Sequence, residues 1–248
     1  MEYQAIKDLV SFLKKPNNET INLKSSVIYL SIFKIYIFLL IITLLIGLLS
    51  KIIFQDAIVN DIVADYSSGE LQKYISSPWL LFFILLLIFP IIEEISYRLF
   101  LTSYNPIFIS ISLSLIVGDF VSLLFDIQFL YTEHLHVNYL IVLFFHVFIS
   151  IPFFIVFFSL TKKNTIKQFW NKYFPYIFYA AAFLFAIVHL QVLSFSHFNI
   201  FLFILSISPF FVFGLGLGFI RIRYGFKYSV LLHIVVNTPT LTYLFLNL

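Results

Sequence analysis

Long apolar runs recur along this 248-residue chain, and they constrain its fold more than any other feature. A helix that crosses a bilayer needs roughly 20 consecutive apolar residues, and lipid offers the backbone no hydrogen-bonding partner outside the helix itself. Hydrophobic residues make up 61% of the chain and charged residues only 11%, against about a quarter charged in soluble domains. The runs lie at 27–49, 78–101, 106–125, 139–160, 173–193, 198–220 and 228–246. We therefore predict an all-α polytopic membrane protein with about seven transmembrane helices.

Basic residues cluster in alternate loops, and this pattern predicts the topology, because cytoplasmic loops are rich in Lys and Arg. With this number of spans, three clusters fall on one side: Lys7, Lys14, Lys15 and Lys24; Lys162, Lys163, Lys167 and Lys172; Arg221, Arg223 and Lys227. We predict a multi-pass protein of the cell membrane with a cytoplasmic N-terminus and an external C-terminus. A net charge of only +3, placed in this way, indicates contact with membrane lipid and not with nucleic acid.

Three segments follow from the same patterns. Residues 1–26 form a cytoplasmic arm, in which Tyr3, Ile6, Leu9, Val10 and Leu13 recur at helical spacing before Pro16 and predict a short interfacial helix. Residues 27–77 comprise the first transmembrane helix and an acidic external loop. Residues 78–248 form the remaining core, and Gly214, Gly216 and Gly218 in its sixth span favour close helix packing.

Two adjacent carboxylates and an arginine interrupt the second apolar run, in FPIIEEISYRLFL. Such groups are costly at membrane depth and therefore mark candidate functional sites. Residues four apart share a helix face, whereas neighbours diverge by about 100°. Glu94 is therefore predicted to pair with Arg98 as a structural clamp, which leaves Glu93 without a local partner and available for proton transfer. The alternative, one structural ion cluster of all three, stays open at this stage.

Other polar groups lie inside later spans. Phe185 and His189 are four residues apart in FAIVHL, and His233 and Asn237 are four apart in LLHIVVNTP. A free carboxylate, two imidazoles and an amide together supply a general base, a water-positioning group and oxyanion donors, which is what amide hydrolysis by an activated water requires. Asp119, in the third span, is predicted to line a cavity or to hydrogen-bond a neighbouring helix.

No cofactor is predicted. The chain has no cysteine, which excludes disulfides and cysteine metal sites, and it has no HExxH sequence. If the protein depended on zinc, Glu93, His189 and His233 would be the candidate ligands, because carboxylate and imidazole groups suit that metal.

Three motifs resemble those of one family when they are taken in order. EEISYR matches EExxxR, FAIVH matches FxxxH, and HIVVN matches HxxxN, as in the CPBP or Abi family of CAAX protease and bacteriocin-processing intramembrane peptidases. The resemblance runs from about residue 90 to residue 237. It implies a glutamate-dependent intramembrane endopeptidase that acts on peptides or membrane proteins, in CAAX-like, bacteriocin or pheromone peptide processing or in bacteriocin self-immunity.

The resemblance also implies residue roles. Glu93 would activate water together with His189, and His233 and Asn237 would stabilise the oxyanion. Glu94, Arg98 and Phe185 would support the site. The first alternative is a non-catalytic membrane regulator or immunity protein of the same fold. The second is a proton-coupled carrier, which is disfavoured because the sequence shows no inverted repeat of the kind seen in many transporters.

Two departures from the family pattern concern geometry. Family members often connect the first two motifs by a short segment, whereas an extra helical hairpin at about 106–160 intervenes here. In addition, a span that starts at Tyr173 would put His189 about 24 Å from the cytoplasmic end, against about 10 Å for Glu93 and His233. We therefore expect Tyr173 to Phe178, with Pro175 as a helix-start residue, to lie in or below the headgroup layer.

Overall fold

The computed structural model describes residues 4–54, 78–124, 139–189 and 200–246. All regular structure in these ranges is helical, which confirms the all-α part of the predicted fold class for them. The elements are α1 Ala5–Lys14, α2 Ser25–Phe54, α3 Pro78–Phe83, a π-helical turn Ile84–Ile88, α4 Phe89–Arg98, α5 Pro106–Leu124, α6 Tyr139–Thr161, α7 Asn164–Val188, α8 Ile200–Arg223 and α9 Phe226–Leu246.

Three of these helices are long and apolar enough to cross a membrane, and they indicate a membrane protein. They are Ser25–Ile53, Asn164–Val188 and Ile200–Arg223. The segments Pro106–Val121 and Val147–Thr161 are apolar but shorter.

The helix that contains the predicted span 173–193 begins earlier in the chain than predicted. Helix α7 starts nine residues earlier, at Asn164, and ends at Val188. Its backbone leaves helical geometry at Tyr173 (φ −107°, ψ 15°), two residues before Pro175, so the helix is kinked there. Proline explains the kink, because it lacks an N–H donor and its ring crowds the preceding turn. Residues 190–193 lie outside the described ranges.

The second predicted span is helical but contains a π-helical turn that hydropathy does not reveal. The Phe89 N–H donates to the Ile84 carbonyl, five residues back instead of four. Pro90 follows immediately and has no N–H to offer to the regular ladder. Single π turns inside helices are frequent at functional sites, and this one precedes Glu93 by one turn.

Helix α1 forms as predicted, but its buried face differs from the predicted stripe. Ala5, Leu9 and Phe12 are buried, whereas Ile6 and Val10 are exposed; Tyr3 lies outside the described ranges. The reason is tertiary contact, because this face lies on the protein and not on lipid.

Helix α1 packs on α2, and its aromatic and hydrogen-bond contacts come from α7 and α8. The Phe12 ring meets Phe178 at a centroid distance of 5.1 Å and Phe219 at 5.2 Å, both edge-on. The Tyr179 hydroxyl donates to the Leu13 carbonyl. The arm is therefore docked on the helical core.

Arg223, at the end of α8, binds the rest of the arm through hydrogen bonds and an ion pair. Its Nη1 donates to Asn17 Oδ1 at 3.1 Å and to the Glu19 carbonyl at 2.8 Å, and its Nε lies 3.8 Å from Asp8 Oδ2. The Ile21 N–H donates in turn to the Arg223 carbonyl at 3.0 Å. Gly225 (φ 106°) then reverses the chain into α9, a conformation that L side chains rarely adopt.

The extra hairpin is an antiparallel pair, α5 and α6. Ser110, near the start of α5, and Thr161, at the end of α6, have hydroxyl oxygens 2.9 Å apart. The hairpin docks on α4 through α5, because Ser112 Oγ donates to the Ile95 carbonyl at 2.6 Å.

Glycines bring α8 close to its neighbours, as the spacing predicts. A Cβ at Gly214 would lie 3.2 Å from the Ala182 carbonyl oxygen of α7, and one at Gly216 would lie 2.3 Å from Leu39 Cδ1 of α2.

Gly218→Ala is expected to destabilise the protein by about 1–3 kcal/mol, the usual effect of overfilling a well-packed core. The new Cβ would lie 2.8 Å from Cε2 of Phe178, a fully buried ring with no room to withdraw. Thermal unfolding of purified protein in detergent micelles measures the effect. Gly47→Ala is the control, since its Cβ would meet nothing within 4 Å; equal losses for the two variants would contradict this account.

Candidate active site

Glu94 is fully buried and accepts from three side chains. Its Oε1 lies 2.6 Å from Arg98 Nη1 and 2.9 Å from His233 Nδ1, and its Oε2 accepts from the Ser229 hydroxyl. The predicted pairing of Glu94 with Arg98 is therefore present. Ser229 and His233 were not predicted as its partners, although their spacing of four puts both on one face of α9.

Arg98 is held from two other directions. Its guanidinium carbon lies 4.0 Å from the centroid of the Phe185 ring, a cation–π contact that links α4 to α7. Arg221 of α8 donates from Nε to the Arg98 carbonyl at 3.1 Å and from Nη2 to the Leu99 carbonyl at 2.9 Å. Because the last carbonyls of a helix have no partners within it, Arg221 caps α4.

Glu93 points to a different part of the site from Glu94, as the helix geometry predicts. Its side chain keeps 25% exposure, and its Oε2 lies 3.3 Å from His233 Nε2 and 3.9 Å from His189 Nε2. The first distance is short, but within the described ranges Oε2 has no partner that satisfies hydrogen-bond geometry. The structure thus brings together an under-coordinated carboxylate oxygen and two ring nitrogens from two other helices.

His233 bridges the two adjacent glutamates. Its Nδ1 faces Glu94 and its Nε2 faces Glu93. Since a carboxylate accepts, Nδ1 carries the hydrogen that Glu94 receives, and this fixes the ring so that Nε2 points at Glu93. The oxyanion-stabilising role that the family resemblance implies for His233 stays a prediction, and the bridge is an additional finding.

His189 caps the end of α7, and its orientation is fixed by backbone. Its Nδ1 lies 2.7 Å from the Phe185 carbonyl oxygen. A carbonyl only accepts, so Nδ1 carries the hydrogen and Nε2 presents its lone pair towards Glu93. The ring lies between Phe185 at 4.4 Å and Phe210 at 4.6 Å, measured between centroids. Despite the kinked start of α7, His189 reaches the predicted partner.

Asn237 lies one turn beyond His233 on α9 and is half-buried. In the part of the chain that the structure describes, its amide makes no hydrogen bond, so it is available to a bound molecule. Phe185 is buried at the centre of the site, between Arg98 and the two histidine rings.

Two acceptors therefore face each other across a short gap. Glu93 Oε2 and His189 Nε2 are 3.9 Å apart, too far for a direct hydrogen bond. A water molecule with two O–H donors suits such a gap. Ionised glutamates with Arg98 carry one net negative charge, which a single proton on His233 would neutralise.

No set of three or more His, Cys, Asp or Glu side chains is arranged to hold a metal ion in the ranges that the structure covers.

Comparison with family models, with curated proteins and with solved structures finds no match to this chain. Its function has to be inferred from the residues and geometry of the site.

Proposed function

We propose that this protein is an intramembrane endopeptidase of the CPBP or Abi type, which hydrolyses a peptide bond with a glutamate-activated water. The observation that carries the proposal is the approach of two imidazole Nε2 atoms, at 3.3 Å and 3.9 Å, to one oxygen of Glu93. The order of the three motifs, which resembles that family, supports it independently.

In the proposed reaction, water donates one hydrogen bond to Glu93 Oε2 and one to His189 Nε2. Glu93 takes a proton as the water oxygen attacks the scissile carbonyl carbon, and the carbonyl becomes an oxyanion. The Asn237 amide and the Nε2–H of a protonated His233 donate to that oxyanion. Glu93 then returns its proton to the leaving nitrogen as the C–N bond breaks, so the free enzyme is restored.

Glu94 has a supporting role in this proposal. Its carboxylate receives the His233 Nδ1 hydrogen and so holds the Nε2 side of the ring towards Glu93. Arg98 and Ser229 also donate to this carboxylate, so Glu94 is hydrogen-bonded to three side chains and is not the base in this proposal. The two adjacent glutamates therefore have different roles in the proposal, Glu93 as the base and Glu94 as the residue that orients His233.

The proposed topology has seven transmembrane helices in the cell membrane, with a cytoplasmic N-terminus and an external C-terminus. The described helices α2 and α4 to α9 correspond to these spans, with α3 and the π turn beginning the second. The substrates would be membrane-associated peptides or membrane proteins, such as CAAX-like, bacteriocin or pheromone precursors.

Comparison of the peptide and membrane proteomes of cells that carry the wild type or Glu93→Gln tests the proposal. We expect at least one precursor to accumulate, and its new terminus to disappear, in Glu93→Gln cells only. Glu19→Gln is the matched control, because it makes the same chemical change at an exposed glutamate of the arm. If no precursor differs between Glu93→Gln and the control, the proposal is wrong, and a phenotype retained by Glu93→Gln would indicate a non-catalytic regulator.

A further inference from the structure

The extra hairpin reaches the same face of α4 that bears Glu93. Tyr97 follows Glu93 by four residues and so shares its helix face. The Tyr97 side chain is buried, and its hydroxyl donates to Asp119 Oδ2 of α5 at 2.7 Å. The predicted interhelical hydrogen bond of Asp119 is thus present, and its partner belongs to the EExxxR motif helix.

Tyr97 also touches the centre of the site. Its ring meets Phe185 edge-on at 5.8 Å between centroids. Phe185 in turn lies 4.4 Å from the His189 ring and 5.8 Å from the His233 ring. Asp119, Tyr97 and Phe185 therefore form a continuous wall from the hairpin to both histidines.

The position of the Glu93 side chain depends on the orientation of α4 more than the position of the Glu94 side chain does. Glu94 is fixed by three donors, but Glu93 Oε2 has no hydrogen bond of good geometry among the described residues. The π turn before α4 replaces a regular hydrogen bond by a five-residue one, and the clamp of Glu94 with Arg98 lies on another face of the helix than Glu93. On the Glu93 face itself, Tyr97 supplies a contact one turn further along α4.

We propose that the Tyr97–Asp119 hydrogen bond is a positioning contact, which holds Glu93 at the observed distances from His189 and His233. This inference rests on the proposed function. Asp119 acts through Tyr97 and does not touch the reacting atoms. A misplacement of about 1 Å can reduce a reaction rate about 100-fold, so a single contact of this kind is measurable in kcat.

The experiment uses the full chain in detergent micelles and a synthetic peptide that spans the cleavage site of the precursor found in Glu93→Gln cells. Tyr97→Phe and Asp119→Ala are expected to lower kcat about 10- to 100-fold with little change in KM, because alignment and not binding is lost. The double variant should be no slower than either single variant, since both remove the same contact. Asp119→Asn should recover most of kcat, because its amide oxygen still accepts from the Tyr97 hydroxyl.

Ser112→Ala is the matched control, because it removes a different hydrogen bond between the same two helices. It should leave kcat unchanged, and thermal unfolding of every variant separates misfolding from misalignment. A loss of kcat in Ser112→Ala equal to that in Tyr97→Phe would overturn the inference in favour of general hairpin docking, as would an Asp119→Asn variant as slow as Asp119→Ala. Full activity of Tyr97→Phe beside an inactive Glu93→Gln would overturn only this inference, whereas an active Glu93→Gln would overturn the proposed function as well.

Discussion

Glu93→Gln should reduce kcat for peptide hydrolysis by about 100- to 10,000-fold, the range that a general base contributes. The amide that replaces the carboxylate cannot take a proton from water, although it fills the same space. Cleavage of the synthetic peptide by purified protein in micelles measures the effect.

The same variant should unfold at nearly the wild-type temperature. Glu93 keeps a quarter of its side chain exposed, and its Oε2 makes no hydrogen bond of good geometry to the described residues. Its nearest buried neighbour is His233 Nε2 at 3.3 Å, which the amide oxygen of glutamine can still face. A large loss of stability would instead support the single structural ion cluster of Glu93, Glu94 and Arg98.

Glu94→Gln should behave in the opposite way and destabilise the protein by about 3–5 kcal/mol, as expected when one partner of a buried ion pair is removed. Three donors, from Arg98, His233 and Ser229, converge on this carboxylate. Glutamine would turn an NH₂ group towards at least one of them and leave the Arg98 charge buried without its counter-ion.

Thermal or denaturant unfolding in micelles measures this loss, and Glu93→Gln is a control that makes the same chemical change one residue earlier. If Glu94→Gln unfolded like the wild type while losing activity, Glu94 and not Glu93 would be the better candidate for the base.

Helix geometry was enough to predict the pairing of Glu94 with Arg98, although it left a single ion cluster with Glu93 open. The spacing of four between Glu94 and Arg98 fixes their faces whatever the helix packs against, and the observed contact of 2.6 Å agrees with it. The grouping of Glu93, His189 and His233 came from the motifs and the family resemblance, and the structure brings these side chains together.

The bridge made by His233 could not be predicted in the same way. It depends on how α9 crosses α4, which is set by side chains along both helices and not by any local spacing. The cation–π contact between Arg98 and Phe185 depends likewise on the crossing of α4 and α7.

The start of α7 was missed for a different reason. Its first turns, from Asn164 to the kink at Tyr173, carry lysines and polar residues, so a hydropathy pattern does not include them in a span. The buried face of α1 was predicted only in part. Leu9 is buried as part of the predicted stripe, but Ile6 and Val10 are exposed although they are as apolar as Phe12, which meets Phe178 and Phe219. Periodicity identifies an apolar stripe but does not say which edge of it a partner covers.

The hydrogen bonds between Arg223 and the N-terminal arm have a consequence for biosynthesis. Asn17 and Arg223 are 206 positions apart, so at ribosomal rates of about 5–20 residues per second the arm waits roughly 10–40 s for its partner to be made. The Phe178 and Phe219 rings that Phe12 meets are also made late, and until then Lys7, Lys14 and Lys15 suit an anionic membrane surface. The same short helix is thus suited to bind the membrane surface during synthesis and to dock on the helical core after Arg223 has been made.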